Sequence, residues 1–229
     1  MKKIIFSIVI LVLSSKAYAH VEHYKNLSYL EYELYRNDQS IGHHKYYFSK
    51  IDDKLSIKSV VNFKIKKLNI ELYNYFAESE EIYKNNEFFK FISNTNQNKK
   101  KKYVKILVDD AKNQLLIDGS SYKGPADIKT IIGTWWNHEI LKADAQISAI
   151  SGRIIEQEVT FLGKEEIEID GKKYKSIKFN FKSSDESLPD NKKLNTNIWY
   201  EEGTYLWLKA SFEKTGFWEY RLKKVEYGK

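Results

Sequence analysis

The sequence predicts an all-β, mainly antiparallel protein: a strongly curved open barrel or half-barrel of about ten strands. Three observations carry this. Apolar and polar residues alternate along most of the chain, Asp/Asn/Gly turn pairs punctuate the alternating runs, and a helical spacing recurs in only one segment. Leu30, Tyr32 and Leu34 alternate with Glu31 and Glu33. Ile57, Val61, Phe63 and Ile65 share one parity, and Lys58, Asn62, Lys64 and Lys66 take the other. Leu68, Ile70 and Leu72 continue after a break at Lys66-Lys67. Ile177, Phe179 and Phe181 oppose Lys178, Asn180 and Lys182, and Leu206, Leu208, Ala210 and Phe212 are set to face away from Trp207, Lys209 and Ser211. This pattern describes strands with one dry and one wet face.

The turn pairs are Asn37-Asp38, Asp52-Asp53, Asp118-Gly119, Asp170-Gly171, Glu202-Gly203 and Thr215-Gly216. Asp170-Gly171, between two alternating runs, is the clearest tight hairpin. The helical segment starts at Pro125, with Ile128, Ile131, Ile132 and Trp135 at spacings of three, four and seven residues. Gly133 interrupts it and His138 to Lys142 add a further turn, so one or two short helices are predicted near residues 126–142. Residues 183–196 are polar, contain Pro189 and read as a long surface loop.

The N-terminus reads as an address. Lys2 and Lys3 precede the apolar run from Ile4 to Leu13, and Ala17-Tyr18-Ala19 places small residues where a signal peptidase cuts. Residues 1–19 are therefore expected to be a cleaved signal peptide, 20–27 an N-terminal arm and 28–227 a single β-barrel-like domain. The apolar run is too short for a permanent anchor, and no later one approaches a membrane span. The expected location is the periplasm or the exterior.

Composition narrows the chemistry. The 229 residues include no Cys, which removes disulfides, thiolate metal sites, thiol nucleophiles and an acylated lipoprotein cysteine. The formal charge of +7 includes Lys2, Lys3 and Lys16; without residues 1–19 there are 35 basic and 31 acidic residues, a net charge near +4. With export, this argues against nucleic acid as a partner. Lys99, Lys100, Lys101 and Lys102 follow an Asn-rich stretch and form an expected hairpin tip that could meet an anionic surface or an envelope protein.

No Gly-x-Ser-x-Gly elbow, phosphate loop or His-Glu-x-x-His is present. His138-Glu139 lacks the second histidine, and the neighbours Asp109-Asp110 and His43-His44 point apart on a strand. A carboxylate pair assembled from distant strands would leave no such local sign. The reading leans away from an enzyme and calls for no cofactor. Cleavage after Ala19 would expose His20, with His23 nearby, and an N-terminal amine plus imidazole can chelate copper.

The order of features, with Tyr32-Glu33-Leu34, Ile41-Gly42, Gly133-Thr134-Trp135-Trp136-Asn137, Ser151-Gly152-Arg153 and Ile198-Trp199-Tyr200, resembles a domain-of-unknown-function family of secreted proteins from Gram-negative bacteria. The resemblance spans about residues 28–225. It implies a curved antiparallel sheet similar to the open barrels of periplasmic lipoprotein carriers, and no particular activity.

A concave sheet with one dry face is a cradle for a lipid, an acyl chain or another apolar ligand. Its expected lining is Leu34, Val61, Phe63, Leu72 and Trp135, together with Trp136, Phe179, Trp199 and Leu208. Of the adjacent tryptophans, one is expected at a rim. The alternative is a structural or protein-interaction module of the envelope, in which the same residues fill a solid core.

Overall fold

The computed structural model describes Tyr24 and residues 26–228. The expected signal peptide and the proposed copper ligands His20 and His23 lie outside the described residues.

The strands are β1 (Leu27–Arg36), β2 (Gln39–Ile51), β3 (Lys54–Lys67), β4 (Ile70–Lys84), β5 (Glu87–Gln97), β6 (Lys100–Asp109), β7 (Gln114–Gly119), β8 (Lys123–Asp127), β9 (Ile131–Ile132), β10 (Ala145–Ile147), β11 (Ile154–Ile169), β12 (Lys172–Ser183), β13 (Asn195–Glu201), β14 (Trp207–Glu213) and β15 (Phe217–Tyr227). They form one curved sheet in the order β8-β7-β6-β5-β4-β3-β2-β1-β15-β14-β13-β12-β11-β10-β9. Every neighbouring pair is antiparallel except β9 and β10. The first and last strands pair with each other at the middle of the sheet, Leu34 opposite Tyr220.

The fold class is as the alternation predicts, but the strands number fifteen among the described residues instead of about ten. Several tips carry neither Gly nor Pro. Leu68-Asn69, Asn85-Asn86 and Asn98-Lys99 turn the chain with both residues at positive φ (50 and 62°, 50 and 63°, 48 and 71°). This is the backbone of a two-residue hairpin whose twist matches the strands it joins, and Asn tolerates it. Asp118-Gly119, read as a turn, instead ends β7. There Gly119 serves close approach, since a Cβ would sit 2.6 Å from the Ser151 carbonyl oxygen.

The helix expected from residue 126 is absent. Pro125 lies in β8 opposite Leu116, residues 128–130 turn, and Ile131 and Ile132 pair with Gln146 and Ile147. The isoleucines sit at helical spacing by coincidence, and tertiary burial of Ile132 decides the outcome. One 3₁₀ turn remains at His138–Lys142, capped by Asn137 Oδ1, which accepts from Glu139 N at 3.1 Å. Residues 183–196 are mostly loop, with a 3₁₀ turn at Asp190–Lys192.

Two β-bulges overturn the simple parity. Opposite β13, Trp199 pairs with Lys209 but Tyr200 with Trp207, so Leu208 is the extra residue and both Trp207 and Leu208 are fully buried. Opposite β3, Ile65 pairs with Tyr73 but Lys66 with Glu71, which leaves Leu72 as the extra residue, 53% exposed. Leu72 does not line the interior.

Inside the curve, the segment from β9 to residue 152 folds inward. Trp136 meets Tyr24, Phe48 and Tyr83 edge-on at 5.3, 5.4 and 6.1 Å, while Tyr32 stacks on Trp207 at 3.8 Å. A second cluster joins Phe91, Val104, Ile106, Leu115 and Ile117 of β5–β7 to Ile132 and Ile147. One margin of the sheet thus packs onto the concave face near the other margin. The outer β8 carries Gly124 and Pro125, which blunt it as a template for further pairing.

Truncating Trp136 removes the centre of this packing. Trp136→Ala is expected to lose about 3–5 kcal/mol of unfolding free energy in urea, whereas Leu72→Ser should stay within about 0.5 kcal/mol of wild type.

Candidate binding cavity

The inner positions of β3–β5 are small where those of β1 and β2 are large. Ser59, Ser79 and Ser93 stand in cross-strand register on three successive strands, and Val61, Ala77 and Thr95 form the next row. Short side chains leave the sheet and the inward-folded segment apart here, bridged at Ser93, so a cavity of about 190 Å³ remains between them. Its other walls are His44, Tyr46, Tyr75 and Tyr220 from the sheet, and Gly133, Thr134, Trp135, Ala149 and Ile150 from the segment. A void of about 150 Å³ holds one benzene ring, and drug-sized ligands need roughly 300 Å³ or more. This cavity therefore fits one ring or a short branched chain.

The polar groups around it are mostly engaged. The His44 and Ser59 side chains are hydrogen-bonded through Nε2 and Oγ at 2.7 Å, and Ser93 Oγ donates to the Ala149 carbonyl. His44 Nδ1 is buried with no hydrogen-bond partner. His44 faces the cavity and aromatic rings, with Tyr46 centred 4.3 Å away, and this desolvation pushes its pKa down to about 3, aided by His43. The imidazole is neutral near pH 7.

Behind the wall lies Glu81, almost wholly buried. Its carboxylate accepts from the Tyr83 hydroxyl, from Trp136 Nε1 at 3.2 Å and from Thr134 Oγ1 at 3.4 Å. Burial raises its pKa to about 7, against the lowering effect of those three donors. Nearby, the Tyr24 hydroxyl and His138 Nδ1 lie 2.6 Å apart, and the His138 ring stacks on Tyr205 at 4.6 Å. Among the described residues, no cluster of three or more His, Asp or Glu could hold a metal ion.

Of the residues expected to line a cradle, Val61 and Trp135 do line the cavity. The two tryptophans diverge: Trp135 lies against Trp207 and Tyr220 at 5.2 and 5.4 Å, and Trp136 points into the wall toward Glu81. Leu34, Trp136 and Leu208 are fully packed. Phe63 stacks on Tyr75 at 4.7 Å, and Phe179 is half-buried between Phe161 and Tyr200. Trp199 lies among polar groups of the opposite parity, donating to Glu165 Oε1 at 2.5 Å beneath the Lys178 and Lys209 ammonium groups. The serine and alanine rows were not foreseen, because small polar residues in alternation look like a wet face. Their one sequence signal is a run of small residues on the parity that elsewhere is aromatic.

A curved, almost wholly antiparallel sheet wrapped around an inserted segment, with a small internal cavity, defines a β-barrel-like protein. The chain belongs to a family described as a domain of unknown function, DUF6134, which it matches over residues 32–223. No curated protein matches it. Among solved structures it is similar to a β-barrel-like protein of the domain of unknown function DUF1849 from Brucella abortus. That likeness has a TM-score of 0.62 at 11% identity and covers 89% of this chain and 98% of the other, which shows a shared fold.

Glu81 gives the interior a pH signature. Below pH 4.5 the carboxyl is protonated in both folded and unfolded chains; as pH rises toward 7 the unfolded chain ionises first and folded stability falls. The expected loss is roughly 3 kcal/mol, complete a little above pH 7. His44 acts in the opposite sense, removing stability as pH falls below 6.5. Urea unfolding of wild type and Glu81→Gln from pH 4.5 to 8 should show the variant gaining on wild type with rising pH; parallel curves would contradict the assignment.

Proposed function

We propose that this protein is an exported, non-enzymatic binding protein of the cell envelope, and that the cavity under Trp135 takes one small, largely apolar molecule. The cavity is the observation that supports this reading: paired rows of Ser, Ala and Thr keep about 190 Å³ open in an interior otherwise filled by aromatic rings. Conventional core packing would place larger side chains there. The tyrosine, tryptophan and histidine walls favour a planar ring, and the hydroxyls favour one bearing a single polar group. A full acyl chain exceeds the volume, so the lipid-carrier expectation narrows to a smaller guest. Export rests on the signal pattern of residues 1–19.

The second reading, a scaffold or interaction module, is favoured by the complete burial of Tyr32, Tyr46, Trp136, Tyr200 and Trp207, which leave little other room.

Ligand-observed NMR with phenol, indole and palmitate separates the two. Saturable binding of a ring probe is expected, lost in Ala77→Trp, which fills the void, while palmitate is ignored. Absence of ring binding, or ring binding unchanged in Ala77→Trp, would leave the scaffold reading in its place.

A further inference from the structure

The β3–β4 hairpin extends past the body of the sheet. Residues 66–72 are exposed without a break, and within them Leu68 is 88% and Ile70 64% exposed, with Leu72 beside them. Nothing in the fold calls for apolar side chains there. A polar Asn-Asn pair makes the same turn at 85–86. Single exposed apolar side chains are ordinary, but three on one protruding tip form a patch.

Cations surround that tip. Lys64, Lys66 and Lys67 lie on its β3 arm, and its one carboxylate, Glu71, is held by Lys64 Nζ at 2.9 Å. Asn98 N donates to the Asn74 carbonyl at 2.8 Å, which fastens the Lys99–Lys101 tip beside β4. A groove of about 480 Å³ alongside is walled in part by Arg36, His43, Lys64 and Lys66. The β14–β15 tip at this same end brings Lys214 close to Lys102 and Arg153.

The other end of the sheet differs. Its described turns carry Asp52-Asp53, Asp110, Asp170 and Glu202, with Lys112 and Lys129 as the cations among them. The β3–β4 and β5–β6 tips thus form a basic, apolar-tipped corner of an end that elsewhere also carries Asp38, Asp185, Glu186 and Asp190, while the turns of the opposite end are acidic on balance.

We infer that the protein docks by this basic corner, the β3–β4 and β5–β6 tips, on an anionic phospholipid bilayer, with Leu68, Ile70 and Leu72 entering the interface and the surrounding lysines meeting the phosphates. Apolar side chains ringed by lysines match the two layers of such a surface, hydrocarbon beneath negative headgroups. A polyanion or an acidic protein would use the lysines but gives no reason for the exposed leucines. Docking this way would leave the acidic turns facing away from the membrane.

The absence of cysteine allows a single reporter thiol anywhere on the chain. The test uses the full mature chain carrying Leu68→Cys, or Asp170→Cys at the opposite end, each labelled with an environment-sensitive fluorophore. Vesicles of phosphatidylcholine alone, or with 30% phosphatidylglycerol, are titrated at low and high salt. A blue shift is expected for the Leu68→Cys probe with anionic vesicles only, weakened by salt, and none for Asp170→Cys. Co-sedimentation should fall at least tenfold in Leu68→Ser/Ile70→Ser/Leu72→Ser and in Lys64→Gln/Lys66→Gln/Lys67→Gln; all six sites are on the surface, so the fold is expected to persist, as circular dichroism would check. Equal binding to neutral vesicles, no binding, a shift at both probes, or anionic binding with no shift at Leu68→Cys would each overturn the inference; the last would indicate attraction to a polyanion without insertion.

Discussion

The buried carboxylate of Glu81 is the point on which the interior turns. Glu81 stands on β4, yet two of its three donors, Thr134 and Trp136, come from the segment folded into the curve. A carboxylate taken out of water without partners would be costly, and three donors offset part of that penalty while fixing where the segment sits. From this point the segment continues through the 3₁₀ turn to β10, and its backbone ties back to the sheet where Ser121 N donates to the Ser151 carbonyl at 2.8 Å. A sheet of this width has two margins and one dry face, and folding one margin inward covers that face without closing a cylinder.

The same arrangement explains why a cavity survives. Large rings from β1, β2, β13 and β14 fill one side of the enclosed space, and Trp136 is anchored to Glu81 farther along β4 instead of lying over the serine and alanine rows. Serine, alanine and threonine on those strands then leave a space that Trp135 roofs. The neutral His44 and the high-pKa Glu81 both reflect burial of their side chains away from solvent. The exterior is organised separately: the long hairpins end in tips whose charges differ between the two ends of the sheet.

Much of the architecture was legible in the sequence. The parity of Leu30, Tyr32 and Leu34, and of Ile57 through Ile65, assigns the inner face correctly because the bulge beside Glu31 and Tyr32 puts its extra residue, Lys223, on β15, and the β3 pairings run unbroken through Ile65. Parity fails at Leu72 and Trp207, where a bulge adds one residue and the signal that would reveal it lies on the partner strand. The helix near residue 126 fails for another reason: three isoleucines at helical spacing are also good strand residues, and contact with β5–β7 decides between them. Strand count suffered because Asn-Asn and Leu-Asn tips lack the Gly or Pro that marks a turn. The cavity was least legible, since it arises from register among Ser59, Ser79 and Ser93, residues on three different strands.

Residues 131–152 form an internal wall and not a surface loop. Native-state hydrogen exchange of the Trp136 indole N–H and of Gly133 N–H, which donates to the Ile147 carbonyl at 2.8 Å, tests it most directly. Both protons should exchange as slowly as the amides of Tyr32 and Ile57 in the middle of the sheet. Exchange at the rate of the exposed Asn69 turn would mean that the segment does not hold the interior closed.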